Sequence, residues 1–198
     1  MWDDDDVVLL TAPGWGNSGD AHWQSRWELT YPLARRVVQQ DWLYPAREAW
    51  VAGLSAAIAD IPGRLVIAAH SLGCHATVAW LLQASLAEQR RVKGVLLVAP
   101  PALPILPETA RAGGELPEGA PLPDFAGFEA AYPHTLPVPA IVAASQDDPY
   151  CGLAEAKRMA EAWGAQFCDA GRCGHMGSLA GLGSWPTGQS LLQRLILG

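Results

Sequence analysis

Residues 65–73 have the sequence Leu-Val-Ile-Ala-Ala-His-Ser-Leu-Gly. The apolar residues at its start, two of them β-branched, predict a buried strand that ends at His70 and Ser71. From Cys74 to about Gln89, apolar residues recur with helical spacing, so a helix follows the strand. A strand that turns abruptly into a helix at a serine is typical of a nucleophile elbow, in which the turn exposes the serine hydroxyl above a sheet. We therefore predict that Ser71 is a catalytic nucleophile.

A nucleophile elbow requires small residues two positions before and two positions after the serine, because the strand and the helix pack closely there. Ala69 and Gly73 meet this requirement, although glycine is usual at the first of the two positions. The alternative is that Ser71 is only the N-cap of an ordinary helix. The rest of the chain decides between these interpretations.

Length and composition limit the class of protein. With 198 residues, 50% of them hydrophobic, the chain is long enough for one sizeable core, and we predict a single domain over residues 1–198. The net charge of −7 argues against a nucleic acid or an anionic membrane as partner. Residues 3–6 are four consecutive aspartates, which we interpret as a solvated tail rather than a metal site. An export signal would have basic residues followed by an apolar segment at these positions. We therefore expect a cytoplasmic protein.

Strands and helices alternate along the chain. The apolar runs predict six strands, at residues 7–11, about 35–39, 65–69, 94–99, 140–144 and 165–168. Helices are predicted at about 22–31 (with Asp20 as N-cap and Leu29 facing inward), 47–60, 74–89, 153–163 and 187–197. Residues 100–139 contain ten of the 16 prolines and form an insertion between the fourth and fifth strands. This alternation predicts an α/β fold whose parallel sheet is covered by helices on both faces.

The polar clusters follow the strands. They lie at residues 14–17, at Ser71, at residues 146–149 and at residues 173–178, after the first, third, fifth and sixth predicted strands. Parallel sheets bind ligands at the carboxyl ends of their strands. The sequence therefore predicts a site at this edge of the sheet.

A serine nucleophile needs a histidine base that is oriented by a carboxylate. After Ser71 the candidate histidines are His75, His134 and His175. His75 lies one helical turn past the serine, where packing is the expected role, and His134 lies in the insertion. His175 lies in a glycine-rich loop after the last strand, which favours it as the base.

Both Asp147 and Asp148 follow the fifth strand, and the residue pattern alone leaves either as the acid. Acyl transfer also requires backbone N–H groups that stabilise a developing oxyanion. The amide of Leu72, at the start of its helix, and the amide of Trp15, after the first strand, are the natural donors. The alternative for residues 14–16 is a tight turn beside a core tryptophan.

A dinucleotide-binding loop is a competing interpretation of the first turn. Residues 14–19 match Gly-x-Gly-x-x-Gly, and Asp41 is near the position of the acidic residue that such a loop requires. Dinucleotide binding, however, gives no reason for Ser71, Asp148 and His175 to follow three other strands.

The chain resembles small serine hydrolases of the α/β-hydrolase superfamily, the group that includes retinoblastoma-binding protein nine and the bacterial YdeN-like proteins. The resemblance is carried by four blocks that occur in the family's order along almost the whole chain. They are residues 13–19 with 22–24, 69–73, 145–151, and 174–175 with 181–188.

The resemblance implies a six-stranded sheet in the order 2-1-3-4-5-6 with little or no lid, and it implies no cofactor. It matches the nucleophile to Ser71, the base to His175 and the acid to Asp148, which precedes a proline. One family member binds its namesake through Leu-x-Cys-x-Glu, but here Ala76 replaces the glutamate after Leu72-Gly73-Cys74. We therefore expect no retinoblastoma-type partner.

Together these observations predict a carboxylesterase-like serine hydrolase that acts on small esters, with amides as a second candidate, and contains no metal. Trp15, Asn17, Trp23 and His70 are the candidate substrate-binding residues. The insertion contributes Phe125, Phe128 and Tyr132, which either form an aromatic wall of the pocket or only pack the insertion onto the sheet. The chain is expected to be a monomer or a small homo-oligomer. The alternative from another class is a non-catalytic protein-binding module with the same fold, since fold does not determine function.

Overall fold

The computed structural model describes residues 6–113, 116–131 and 134–198, without the side chains of residues 130 and 131. Residues 3–5 of the acidic run, and Tyr132, lie outside the described residues. Six parallel strands form one sheet in the order 2-1-3-4-5-6, which confirms the predicted fold class. The strands are β1 (Val7–Ala12), β2 (Ala34–Arg36), β3 (Arg64–His70), β4 (Val92–Val98), β5 (Ala140–Ala144) and β6 (Gln166–Asp169).

Helices cover both faces of the sheet. The α-helices are α1 (Trp23–Thr30), α2 (Arg47–Ala59), α3 (Leu72–Gln83), α4 (Leu86–Arg91), α5 (Leu106–Ala112), α6 (Leu153–Ala162) and α7 (Pro186–Leu197). Short 3-10 helices lie at Phe128–Ala131 and Ser178–Ala180. The helices α2, α3 and α6 pack on one face of the sheet, and α1 and α7 pack on the other.

The continuously apolar sequence of the central strand β3 is explained by burial on both faces of the sheet. Leu65 and Ile67 belong to the core cluster on one face of the sheet, whereas Val66 and Ala68 belong to the cluster on the other. All four side chains are fully buried. A strand that is covered on both faces has no solvent-facing side, so it requires apolar residues at successive positions.

The helix predicted over residues 74–89 is interrupted. It begins at Leu72, ends at Gln83, and is followed by a separate helix that starts after Ser85. The Ser85 hydroxyl accepts from the Glu88 amide, and the Glu88 carboxylate accepts from the Ser85 amide. This capping box starts a new helix, and the apolar periodicity across the break concealed it.

Two expectations for the first helix are wrong. Its N-cap is His22 rather than Asp20, and the imidazole Nδ1 of His22 accepts from the amide of Gln24. Leu29 is 87% exposed, whereas Trp23 and Trp27 are buried as predicted. The helix is only 8 residues long, so the two tryptophans and Gln24 fill its buried face without Leu29.

The proline-rich insertion packs onto the domain through its apolar residues. Leu106 of α5, Phe125 and Phe128 belong to the core cluster on one face of the sheet. The ring of Phe125 contacts that of Trp15 edge-on, with 6.1 Å between ring centroids. The insertion therefore adjoins the loop that follows β1.

Within the described residues, no helix is long and apolar enough to cross a membrane. The same part of the chain has no group of three or more His, Cys, Asp or Glu residues placed to hold a metal ion.

Candidate active site

Ser71 lies at a strained turn between β3 and α3. Its backbone has φ 53° and ψ −127°, a conformation that residues other than glycine rarely adopt. The hydroxyl does not cap α3, although Ser71 occupies the N-cap position. Gly73 allows the close packing that the turn needs, since a Cβ atom there would lie 2.3 Å from the Ala12 carbonyl oxygen. Because it makes no capping bond, the Ser71 hydroxyl is directed away from α3.

The structure brings Ser71, His175 and Asp148 together. The Nε2 atom of His175 lies 2.8 Å from the Ser71 Oγ, and its Nδ1 atom lies 2.9 Å from a carboxylate oxygen of Asp148. The Asp148 side chain is 1% exposed and the His175 side chain is 20% exposed. In this arrangement Nδ1–H donates to the carboxylate, which leaves Nε2 to accept the serine proton.

Asp147 has a different set of partners from its neighbour. One carboxylate oxygen accepts from the Gly174 amide at 2.9 Å and from the Ser145 hydroxyl at 2.8 Å. The Ser145 hydroxyl in turn accepts from the Cys173 amide at 2.8 Å. These bonds, that from Gly174 first, hold the pKa of Asp147 below its ordinary value. Asp147 thus binds the backbone of the loop that carries His175, and Asp148 binds its imidazole.

The loop after β1 passes directly beside Ser71. A Cβ atom on Gly14 would lie 2.6 Å from the Ser71 Cβ, so only glycine permits this approach. Within the described part of the chain, neither the Trp15 amide nor the Leu72 amide donates to another group. Both amides are therefore free to donate to a substrate oxygen.

Arg36, at the end of β2, holds this loop in place. Its Nε–H is shared between the two carboxylate oxygens of Glu28, and its Nη1 donates to the Asn17 side chain and the Ser18 carbonyl. Gln24 adds a second support, since its amide nitrogen donates to the Ala12 and Ala68 carbonyls. Neither residue is predicted to support the site, because arginine and glutamine are polar types that usually face solvent.

The candidate substrate-binding residues are separated by the structure. Trp15 is half-buried beside Phe125, and Asn17 is exposed with φ 66°. The prediction that Trp23 binds substrate is wrong. Its side chain is 1% exposed, and its indole N–H donates to the Met176 carbonyl at 3.0 Å. It fills the core because α1 turns its ring inward against α7 and the loop that carries His175, so Trp23 supports that loop and does not line a pocket.

His70 is also placed behind the site. It is 6% exposed, and its Nε2 atom lies 2.8 Å from the His175 carbonyl oxygen. Its ring packs edge-on against that of His22, with 4.6 Å between centroids. Burial, and then the neighbouring positive charges, lower the pKa of His22 to about 4, and burial first of all holds the pKa of His70 well below its ordinary value. Both imidazoles are therefore neutral at pH 7.

The other histidines considered for the base lie elsewhere. His75 is fully buried on α3 and donates from Nε2 to the Pro101 carbonyl at 2.9 Å, and His134 is exposed in the insertion. Asp41 lies beyond the end of β2, where its carboxylate accepts from the Leu43 and Tyr44 amides. That turn removes the acidic partner on which the dinucleotide-binding alternative depended.

Comparison with known families gives one match over nearly the whole chain. A family model described as serine hydrolase matches residues 9–194. No curated protein matches this chain.

Several solved structures are similar. A YdeN-like hydrolase from Pectobacterium atrosepticum is 26% identical, with a TM-score of 0.76 over 96% of this chain and 91% of that one. The ydeN gene product of Bacillus subtilis is 22% identical, with a TM-score of 0.69 over 98% and 100% of the two chains. A thermophilic esterase from Thermogutta terrifontis, 16% identical, has a TM-score of 0.58 over 96% and 88%. The last two show the shared fold alone. The family match, together with the YdeN-like hydrolase, shows that this chain belongs to the serine hydrolase family and is a small α/β-hydrolase of the YdeN-like type.

Proposed function

We propose that this hydrolase cleaves small acyl esters through an acyl-enzyme intermediate on Ser71. The observation that carries the proposal is the continuous hydrogen-bonded series from the Ser71 hydroxyl through His175 to Asp148, with distances of 2.8 and 2.9 Å. A serine hydroxyl is a weak nucleophile by itself, and an adjacent base that is held in the correct tautomer activates it.

In the first half of the reaction, the Ser71 Oγ attacks the ester carbonyl carbon while its proton moves to His175 Nε2. The carboxylate of Asp148 stabilises the imidazolium that forms. The carbonyl oxygen becomes an oxyanion, and the amides of Leu72 and Trp15 donate to it. When the tetrahedral intermediate collapses, the C–O bond to the alcohol breaks and Nε2 returns the proton to the leaving oxygen.

In the second half, water replaces the alcohol. The water oxygen attacks the acyl carbon while His175 Nε2 takes a proton from the water. The same proton then passes to Ser71 Oγ as the carboxylic acid product leaves. Amides follow the same steps with an amine as leaving group, and we place them second because the amine is the poorer leaving group.

We propose that the acyl group lies between Trp15 and the insertion. A cavity of about 390 Å³ opens beside Phe125, and its lining combines apolar residues, among them Leu103 and Pro123, with the carboxylates of Asp124 and Glu129. Phe125 contacts Trp15, whose amide is one of the two proposed oxyanion donors. The apolar part of this lining, together with the contact between Phe125 and Trp15, supports a small apolar acyl group as the preferred substrate.

The test is labelling of the pure protein with a fluorophosphonate, read by intact mass, for wild type, Ser71→Ala and His175→Ala. We expect one adduct on the wild type, none on Ser71→Ala and much slower labelling of His175→Ala. A folded wild type that stays unlabelled would contradict the proposal and favour the non-catalytic binding module. Hydrolysis of a series of p-nitrophenyl esters from acetate to octanoate would then measure the acyl preference.

The remaining expectations stay predictions. They are the extent of the single domain, the cytoplasmic location, the oligomeric state, and the lack of a cofactor, nucleic-acid partner or retinoblastoma-type partner.

A further inference from the structure

Four consecutive residues of the histidine loop, here defined as residues 173–176, each have a backbone group bonded to a side chain from elsewhere. The Cys173 and Gly174 amides donate to side chains that follow β5, and the His175 and Met176 carbonyls accept from side chains of β3 and α1. The four side chains are those of Ser145, Asp147, His70 and Trp23, at 2.8, 2.9, 2.8 and 3.0 Å.

Of these four side chains, that of His70 has a particular place in the chain. It belongs to the last residue of β3, so its backbone is joined covalently to Ser71. Its imidazole bonds the main chain of His175, whose own imidazole bonds the Ser71 hydroxyl. The nucleophile, the base and His70 therefore form a closed ring of contacts, and His70 is the shortest link between the two reacting residues apart from their own hydrogen bond.

The acceptor determines the tautomer of His70. A carbonyl oxygen can only accept, so Nε2 carries the hydrogen. The imidazole packs between the rings of His22 and His175, with centroids at 4.6 and 5.0 Å, and it is 6% exposed. A buried side chain in contact on both sides has few other rotamers, so the donor stays directed at the His175 carbonyl.

We infer that His70 is a positioning residue, whose Nε2–H fixes the His175 main chain at the distance from Ser71 that proton transfer requires. This inference rests on the proposed function. A displacement of about 1 Å in a reacting group can cost about 100-fold in rate. The bond matters because the loop has no helix or strand of its own, and because Gly174, directly before His175, has φ 52°.

The test compares His70→Phe, which keeps a planar ring but has no donor, with His70→Gln, whose amide nitrogen reaches a similar distance from the backbone and can donate. Trp27→Phe is the matched control. Trp27 is also buried on this face of the sheet and donates its indole N–H to a backbone carbonyl, that of Ser184, at 2.7 Å.

We expect His70→Phe to reduce the rate of fluorophosphonate labelling, and kcat for an ester, by about 10- to 100-fold, with KM changed by less than about threefold. His70→Gln should recover most of the loss, and Trp27→Phe should label at the wild-type rate. Wild-type labelling of His70→Phe would overturn the inference. So would a His70→Gln variant as slow as His70→Phe, because packing rather than the donor would then be responsible.

A second readout does not depend on activity. The Nδ1–H of His175 should give a low-field proton NMR signal that is missing in His175→Gln and slow to exchange when the loop is fixed. We expect faster exchange in His70→Phe than in wild type or Trp27→Phe. Unchanged exchange would overturn the positioning role even if the wild type hydrolysed nothing. An unlabelled wild type would contradict the proposed function alone.

Discussion

The nucleophile elbow and the histidine loop place their residues by different means. Ser71 lies between a strand and a helix that are adjacent in sequence, and the turn between them sets its φ of 53°. His175 lies 104 residues further along, between β6 and a short 3-10 helix. Side chains from three separate parts of the fold hold the backbone of its loop. The elbow is defined by local geometry and the loop by distant contacts.

This difference determines what each region requires of the sequence. The elbow requires a small residue at position 73, where any side chain would meet the β1 carbonyls. The loop requires donors and acceptors at the right points in space, whatever their spacing in the chain. Substitutions at the packing position of the elbow, Gly73, should therefore act first on stability, and substitutions of the side chains that hold the loop should act first on rate.

The largest expected effect distinguishes the two adjacent aspartates that follow β5 and bond to the histidine loop. Asp148→Asn should lower kcat/KM by on the order of 10³- to 10⁴-fold, because an amide favours the wrong tautomer of His175. Asp147→Asn keeps an oxygen that can accept from the Gly174 amide, so we expect a change of less than about fivefold. Steady-state ester hydrolysis measures both. An Asp147→Asn variant as impaired as Asp148→Asn would show that the loop's attachment matters as much as the imidazole's partner.

The next effect tests the elbow. Gly73→Ala should destabilise the fold by about 3 kcal/mol, since its Cβ would meet two backbone oxygens of the β1 exit rather than a flexible side chain. Thermal unfolding should show a midpoint lowered by roughly 6–12 °C. The matched control is Gly113→Ala, whose Cβ would make only ordinary contacts at the exposed end of α5, and we expect no loss there. Equal midpoints for the two variants would contradict the close packing at position 73.

The third effect is the pH dependence of the unfolding free energy that arises from His75, on the helix that follows the elbow. Burial lowers the pKa of His75, one turn along α3 from Ser71, to about 4. Between about pH 6.5 and pH 4 the unfolded chain binds a proton at this residue that the folded chain does not, so stability falls as the pH falls. This loss is about 2 kcal/mol at pH 5.

His75→Gln removes the titrating group, and its amide can still donate to the Pro101 carbonyl. Urea unfolding at pH 7 and pH 5 should therefore show a smaller difference for the variant than for wild type, by about 2 kcal/mol. The same difference in both proteins would mean that His75 is charged in the fold.

The smallest expected effect is the difference between substitutions of the two tryptophans of α1. Trp23 and Trp27 are both buried and both donate an indole N–H to a backbone carbonyl, but only the partner of Trp23 belongs to the histidine loop. Either substitution by Phe should cost about 1 kcal/mol of unfolding free energy. Trp23→Phe should also lower kcat by a few fold, and Trp27→Phe should not. If the two variants are equally stable and have equal kcat values, the histidine loop does not need the bond from Trp23.

Much of the architecture is predictable because it follows from local pattern. Continuous apolar strands and intervening helical segments predicted the parallel sheet, the family resemblance implied its strand order, and the structure confirms both. The break between α3 and α4 was missed because apolar periodicity continues across Ser85. Trp23 and His70 were assigned to the wrong side of the site, since residue type alone does not show whether a ring near a loop faces a ligand or the core.

The sequence by itself determined the elbow, the alternation of strands and helices, and the strand ends at which Ser71, His175 and the aspartates lie. These features depend on residues within a few positions of one another. The tertiary structure decided what the residue pattern left open, which is the aspartate that faces the imidazole of His175 and the set of side chains that hold its loop. Those contacts join residues from 27 to 153 positions apart, and the packing of the whole sheet brings them together. No local pattern encodes contacts at such separations, because their geometry depends on every element between them.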